Sequence, residues 1–303
     1  MRYIKWTIFV PVLIFGLLFT LFSAGGVLAF SLPWRLFRKL GVGPKKNPGY
    51  IWVYVYYWWL RVTLFCLGVT VRIRAPVNIP AGAISILGDH GATLPLLLQA
   101  LHAAVYFPLR AKITIKAQHM KNPIGIGLCA MDVGMPLQRE DRGMSVGVIS
   151  REVTEPCTGL IFVTGTRPTI KNIADGRAAL KEMGYEGVEK LEHTPAPRPK
   201  GSWAMLQTQR AETVYLQLVA SSVDDKGGLS ALVDLMFGGA IFVTYEKMTV
   251  QRSDFQEFAN TLVRYWLKRV NPWIGEKRAF WGSLSPSQRR EELFKSLRTI
   301  LRG

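Results

Sequence analysis

The sequence is poor in acidic residues. Asp and Glu total 21 against 38 Lys and Arg, a formal net charge of +17. That excess calls for an anionic partner: nucleic acid, anionic lipid or a phosphorylated substrate. Cysteine is also scarce. Cys66, Cys129 and Cys157 stand far apart and are odd in number. They supply no disulfide framework and no metal-ligand spacing. Each is flanked by small or apolar residues, so three buried structural thiols in a reducing compartment are expected. Zinc-ligand spacing and a helix-turn-helix signature are both missing. No metal and no nucleic-acid partner is therefore expected, although a basic membrane protein that binds nucleic acid or an anionic polymer stays open as a third reading. No internal repeat is visible.

What is present begins with a long apolar run. Residues 7 to 30, TIFVPVLIFGLLFTLFSAGGVLAF, hold no charge. About 20 apolar residues suffice to span a bilayer. A signal peptide is the rival, because MRYIK is basic and SAGGVLA is small, but the run is longer than a usual signal core. The expectation is an uncleaved transmembrane anchor with its basic flank over 1–50. Arg2 and Lys5 precede the run, whereas Arg35, Arg38, Lys39, Lys45 and Lys46 follow it. The positive-inside bias then places the rest of the chain on the cytoplasmic face of the inner membrane. Residues 51–70 are dense in Trp and Tyr and interrupted by Arg61. They read as an interfacial helix lying in or against the headgroups, with a buried core helix as the alternative. The end of the chain, 253–303, reads as amphipathic basic helices, for which membrane contact and a solvated face both stay open. Ser253 with Gln256 resembles a capping box.

Between these parts, over 71–252, short runs rich in Val, Ile and Thr alternate with helix-like ones. VTVRIRAPV, AISILG, AKITIKA, MPLQR, GLIFVTG and TVYLQLVAS read as strands. LLLQALHAA, MSVGVISREV, IADGRAALKEMG and SWAMLQTQR read as helices, the third ending at Gly184 or Gly187. This alternation predicts an α/β domain with a central mixed β-sheet flanked by helices. HTPAPRPKG is a Pro-rich loop.

Four stretches stand in order: LGDHGATLP, with His90 at a strand-to-helix turn; MDVGMPLQR, ending at Arg139; IFVTGTRPT, with Gly165, Thr166 and Arg167; and PRPKG, with Lys200 and Gly201. On these blocks the chain resembles the glycerolipid acyltransferases, the 1-acylglycerol-3-phosphate and lysophospholipid acyltransferases, over roughly residues 52 to 250. The PRPKG block is most similar to the lysocardiolipin and lysophosphatidylinositol acyltransferase branch. The resemblance implies that His90 is a general base, taking the proton of a glycerol hydroxyl as it attacks an acyl thioester; histidine is tuned for this near neutral pH. It implies that Arg139 and Arg167 bind the acceptor phosphate, with backbone N–H groups of Gly165 and Thr166 and with Lys116 as a further basic residue. Acyl-CoA or acyl-ACP would be the co-substrate, with no other cofactor. Membrane phospholipids and an acyl carrier protein would be the partners.

The chain departs from that family at three positions. The family places Asp five residues after the His, where this chain has Pro95. Thr164 stands where the family has Glu, and Asp89 where it often has Asn. Pro95 is acceptable in the first turn of a helix that Thr93 would cap. It has no group to hold an imidazole. Removing such a carboxylate from a serine protease costs about four orders of magnitude in rate. Asp89, Thr93 and Asp132 are the candidates to orient His90 instead. Two functional readings follow: a membrane-bound acyltransferase acting on a lysophospholipid or lysophosphatidic acid, or a catalytically degenerate relative serving as a lipid-binding or partner subunit. His102, His119 and His193 have no partner pattern and read as core or surface residues.

Overall fold

The computed structural model describes the chain apart from residues 1, 43–46, 91–92, 119–122, 139–141, 154–155, 212, 224–232, 252 and 303, with backbone alone for some further residues. The alternating pattern folds as expected into an α/β domain. Its sheet has seven strands in the order β1-β7-β6-β2-β5-β3-β4. These are β1 (Thr70–Arg74), β2 (Ile84–Gly88), β3 (Ala111–Lys116), β4 (Gly134–Leu137), β5 (Thr158–Phe162), β6 (Thr213–Ser221) and β7 (Ala240–Met248). Strands β2 to β6 run parallel, β7 is antiparallel to β6, and β1 is parallel to β7, so the sheet is mixed.

Helices cover both faces, and the side-chain period of two divides each strand between two cores. Ile84 and Ile86 of β2 join one core, Leu87 the other. The first core holds α2 (Ile51–Cys66), α3 (Thr93–Tyr106) and α4 (Pro123–Ala130). The second holds α5 (Arg142–Glu152), α7 (Pro199–Gln209), α8 (Phe255–Tyr265), a π-turn (Trp266–Val270) and α9 (Asn271–Ser283). Helix α6 (Ile170–Glu182) follows β5, and α10 (Pro286–Arg302) packs beside β1 and α2. Gly184 adopts φ +79 just past α6, the left-handed stop that a glycine allows.

The N-terminal expectation is corrected. Residues Arg2–Lys39 do form a helix, α1, but no helix among the described residues is long and apolar enough to cross a membrane. One face of α1 belongs to the domain. Ser23, Val27, Ser31 and Trp34 are buried, Phe19 stacks on Trp59 at 4.7 Å, and Arg35 donates to the Cys129 carbonyl. The other face exposes Ile14, Phe15, Leu18 and Phe22. Helix α2 likewise turns Val53, Tyr57, Leu60 and Leu64 into the core and leaves Ile51, Tyr54, Val55 and Val62 outside. Arg61, which interrupts the apolar run in sequence, is buried. It donates to the Tyr57 hydroxyl at 2.9 Å and to Thr299 Oγ1 at 3.0 Å, tying α10 to α2.

Other details also differ from expectation. The cap of α8 is Asp254, which accepts from Gln256 N at 2.6 Å; Ser253 lies one residue too early. Cys157 is buried as expected, but Cys129 is half-buried and Cys66, on the outward side of the last turn of α2, is exposed. All three are free thiols. Helix α4 was not legible, because PIGIGLCA mixes glycine with apolar residues without a helical stripe.

One core position breaks the apolar pattern. Gln217 of β6 is fully buried and donates to the Tyr245 hydroxyl at 2.6 Å. That hydroxyl in turn bonds His102 Nδ1 at 2.7 Å. Burial, with the Arg61 charge adding, pushes the His102 pKa down to about 3. Neutral His102 can then accept the tyrosine proton at Nδ1.

Candidate active site

Because β2, β5, β3 and β4 are parallel, their carboxyl ends share one edge of the sheet. Ligands of open α/β sheets bind beyond that edge. Here a cleft of about 580 Å³ opens between the loops. His90 lies two residues beyond β2, Lys116 ends β3, and Gly165, Thr166 and Arg167 follow β5; all five line the cleft. The floor is apolar, made of residues such as Leu97, Ala100, Ile113, Leu128 and Phe162. The His90 ring meets Phe162 edge-on, with centroids 5.8 Å apart.

The turn after β5 shapes the basic side. Gly165 has φ +62, a conformation that costs a side chain but not glycine. Thr169 caps α6 by accepting from Asn172 N at 3.2 Å, and Asn172 Nδ2 holds the Arg167 carbonyl at 2.9 Å. Thr169 and Asn172 also line the cleft, so the positive end of α6 points there beside Arg167. An apolar floor with a basic rim suits an amphiphile whose head is anionic, and His90 lines the same cleft.

The region behind His90 explains the departures. Helix α3 starts at Thr93 and places Pro95 in its first turn, where proline costs no helical hydrogen bond. Asp89 is 2% exposed and turns toward the interior. It accepts from Thr194 Oγ1 at 2.8 Å and from Thr164 Oγ1 at 3.5 Å. Thr164 in turn accepts the His90 backbone N–H at 3.2 Å. On its far side Asp89 lines a second cavity, of about 20 Å³, with Pro95, Pro168, His193, Ser221 and Arg278. Burial pushes the Asp89 pKa up to about 7, opposed by the Thr194 hydroxyl, the His90 backbone N–H, the Thr164 hydroxyl and the Arg278 charge. Its carboxyl is thus divided between two protonation states at neutral pH.

The remaining candidates separate. Asp132 is corrected as an orienter: it lies before β4, at the amino edge of the parallel strands, opposite to His90. There, at φ 61, it pairs with Arg110 and, at 2.7 Å, with Lys112 Nζ. Arg139, His119 and the Thr93 side chain lie outside the described residues. His102 is in the core, and His193 sits beside Arg278 at 3.4 Å. Lys200 and Gly201 open α7, where Gly201 backs onto Ile161. Among the described residues no group of His, Cys, Asp and Glu is arranged to hold a metal ion. Sequence reasoning missed Thr194 and Phe162; a threonine in a Pro-rich loop and a strand-end phenylalanine carry no local signal.

The placement of Asp132 predicts a separation of stability from activity. Asp132→Asn is expected to lower stability by about 1–3 kcal/mol, since both cations lose a partly buried partner. Turnover per folded molecule should stay unchanged. Chemical denaturation alongside a rate assay checks both.

No family model matches the chain, and no curated protein matches its sequence. The fold is similar to the crystal structure of the 1-acyl-sn-glycerophosphate (LPA) acyltransferase PlsC from Thermotoga maritima, with a TM-score of 0.59 and 14% sequence identity. The match covers 92% of this chain and 100% of that one. The central mixed seven-stranded sheet flanked by helices is thus shared with that acyltransferase fold.

Proposed function

We propose that the chain is a membrane-associated acyltransferase that moves a fatty acyl group from an acyl thioester to the free hydroxyl of a lysophospholipid or lysophosphatidic acid. The observation that supports it is the position of His90, in one cleft with an apolar floor and a rim of Lys116, Arg167 and the start of α6. The four ordered sequence blocks and the likeness to the PlsC fold support it as well.

In this reading His90 takes the proton from the acceptor hydroxyl as the oxygen attacks the thioester carbonyl. The tetrahedral intermediate collapses, the C–S bond breaks, and the imidazolium returns the proton to the departing thiolate. Arg167, Lys116, Arg139 and the N–H groups at Gly165 and Thr166 hold the acceptor phosphate. Acyl-CoA or acyl-ACP supplies the thioester. The exposed apolar face of α1 would seat the chain on the cytoplasmic surface of the inner membrane, lying on the lipid rather than crossing it.

The test is acyl transfer by purified protein. Acyl-CoA and acyl-ACP are offered with lysophosphatidic acid, lysophosphatidylglycerol, lysophosphatidylinositol and lysocardiolipin, the last two chosen for the PRPKG block. Steady turnover of one acceptor is expected. Pro95 and Thr164 favour a second reading, a lipid-binding or partner subunit without turnover. Lysophospholipid binding with no product across the panel would select it.

A further inference from the structure

We infer that Thr194, in the Pro-rich loop, is a positioning residue for His90, acting on its backbone through Asp89 and Thr164. The inference rests on the acyltransferase reading for its kinetic part. Its physical part is a continuous hydrogen-bond chain across four segments. Trp266 Nε1–H donates to Thr194 Oγ1 at 3.3 Å. The Thr194 hydroxyl has one proton, and the carboxylate of Asp89 at 2.8 Å takes it in preference to the Pro195 carbonyl at 3.4 Å. Thr164 Oγ1 holds the His90 N–H and shares its one proton between Asp89 Oδ1 at 3.5 Å and the Thr166 carbonyl at 3.4 Å. Thr194, Thr164 and Trp266 are 0% exposed, so water does not compete for these bonds.

The chain of bonds links the end of β2, the turn after β5, the Pro-rich loop and the π-turn after α8. None of Thr194, Asp89 or Trp266 lines the large cleft. Their route to His90 is through its main chain, which fixes where the ring starts. A buried carboxyl depends on its donors, and losing one leaves it to turn, or to protonate and donate elsewhere. Either response draws Thr164 away from His90.

This arrangement also accounts for Pro95. Asp89 and Pro95 line the same cavity of about 20 Å³. An Asp at 95 would set a second carboxylate against Asp89 in a space too small to hydrate both. Like charges so placed oppose each other's ionisation. A chain that anchors the His90 backbone with Asp89 therefore gains by an uncharged residue at 95. The charged or titratable groups facing Asp89 across that cavity are Arg278 and His193.

The experiment compares Thr194→Val with Thr194→Ser in the full chain, with Asp89→Asn, which keeps the Oδ1 acceptor but does not ionise, as the titration control. Thr194→Val is expected to lower kcat about tenfold or more, at nearly unchanged KM, as small misplacements of a reacting group do. Thr194→Ser keeps the hydroxyl and should stay within about twofold of wild type. The second readout needs no turnover. The His90 ring signals, assigned by their loss in His90→Ala, are titrated by NMR. The ring's own protonation shapes these curves in every variant; in wild type and Thr194→Ser, Asp89 should add a second inflection near pH 7, and Asp89→Asn should remove that second inflection alone. If Thr194→Val lowers only thermal stability, with kcat and the His90 titration as in wild type, the inference is overturned and Thr194 is structural. If wild type turns over no substrate, the acyltransferase reading fails on its own, and the His90 titration still decides whether the relay acts on the ring.

Discussion

His90→Ala is expected to lower kcat/KM for acyl transfer by about a thousandfold, within the 10²–10⁴ that a positioned general base contributes. The cost should fall on kcat. In the proposed reading Lys116, Arg167 and the start of α6, which line the cleft, would hold the acceptor phosphate, and the substitution leaves them in place. KM for the lysophospholipid should therefore change little. The fold should survive too, because the ring borders an open cleft and its loss empties no core. Circular dichroism and the melting temperature serve as controls. Activity within about tenfold of wild type in a fully folded His90→Ala protein would sink the role of this residue.

The second expected result is that His102 and Asp89 contribute to wild-type stability with opposite pH dependence between about pH 4 and 6.5. Folding lowers the His102 pKa from 6.5 to about 3, so the neutral ring is favoured in the native state. Its contribution is complete above pH 6.5 and is lost as the pH falls toward 3. Folding raises the Asp89 pKa from 3.8 to about 7, so the protonated carboxyl is favoured there. Its contribution is complete below pH 3.8 and is lost as the pH rises through 7. Across the shared window the slopes have opposite signs, each about 1.4 kcal/mol per pH unit. Asp89→Asn removes one of them. Relative to wild type, it should lose about 3 kcal/mol of stability between pH 6.5 and 4 through His102 alone. Denaturant midpoints at several pH values measure this directly. Parallel curves for wild type and variant would show that Asp89 does not titrate in this window.

Six of the seven strands were readable because they rest on local chemistry; β7, Ala240–Met248, was not among the runs read as strands. Runs such as AISILG and TVYLQLVAS are rich in Val, Ile and Leu and buried on both faces, as strands covered by helices on each side are. The turn at Gly165 and the first turn at Pro95 follow from what glycine and proline permit. The N-terminal segment was misread for the converse reason. Its described apolar side chains are mostly exposed, Ile14, Phe15, Leu18 and Phe22 among them, while Val27 packs into the domain, and hydropathy cannot tell lipid from a neighbouring helix. Asp132 was misassigned because proximity to MPLQR in sequence does not say which end of a strand a residue occupies. Thr194 and Trp266 were invisible for a related reason. Their partners lie 105 and 72 residues away, and no local pattern marks a bond that the fold alone creates.

The pairing of β1 with β7 bears on how the chain is made. Thr70 meets Ala240 and Arg74 meets Thr244. Strand β1 therefore has no partner until β7 has left the ribosome. At about 5–20 residues per second, that interval is on the order of ten to thirty seconds. Throughout it, the free edge of β1 is exposed to whatever surrounds the nascent chain. Such species aggregate readily. Yield during expression should thus depend on chaperones or on a lipid surface present while translation continues, rather than on the stability of the finished protein.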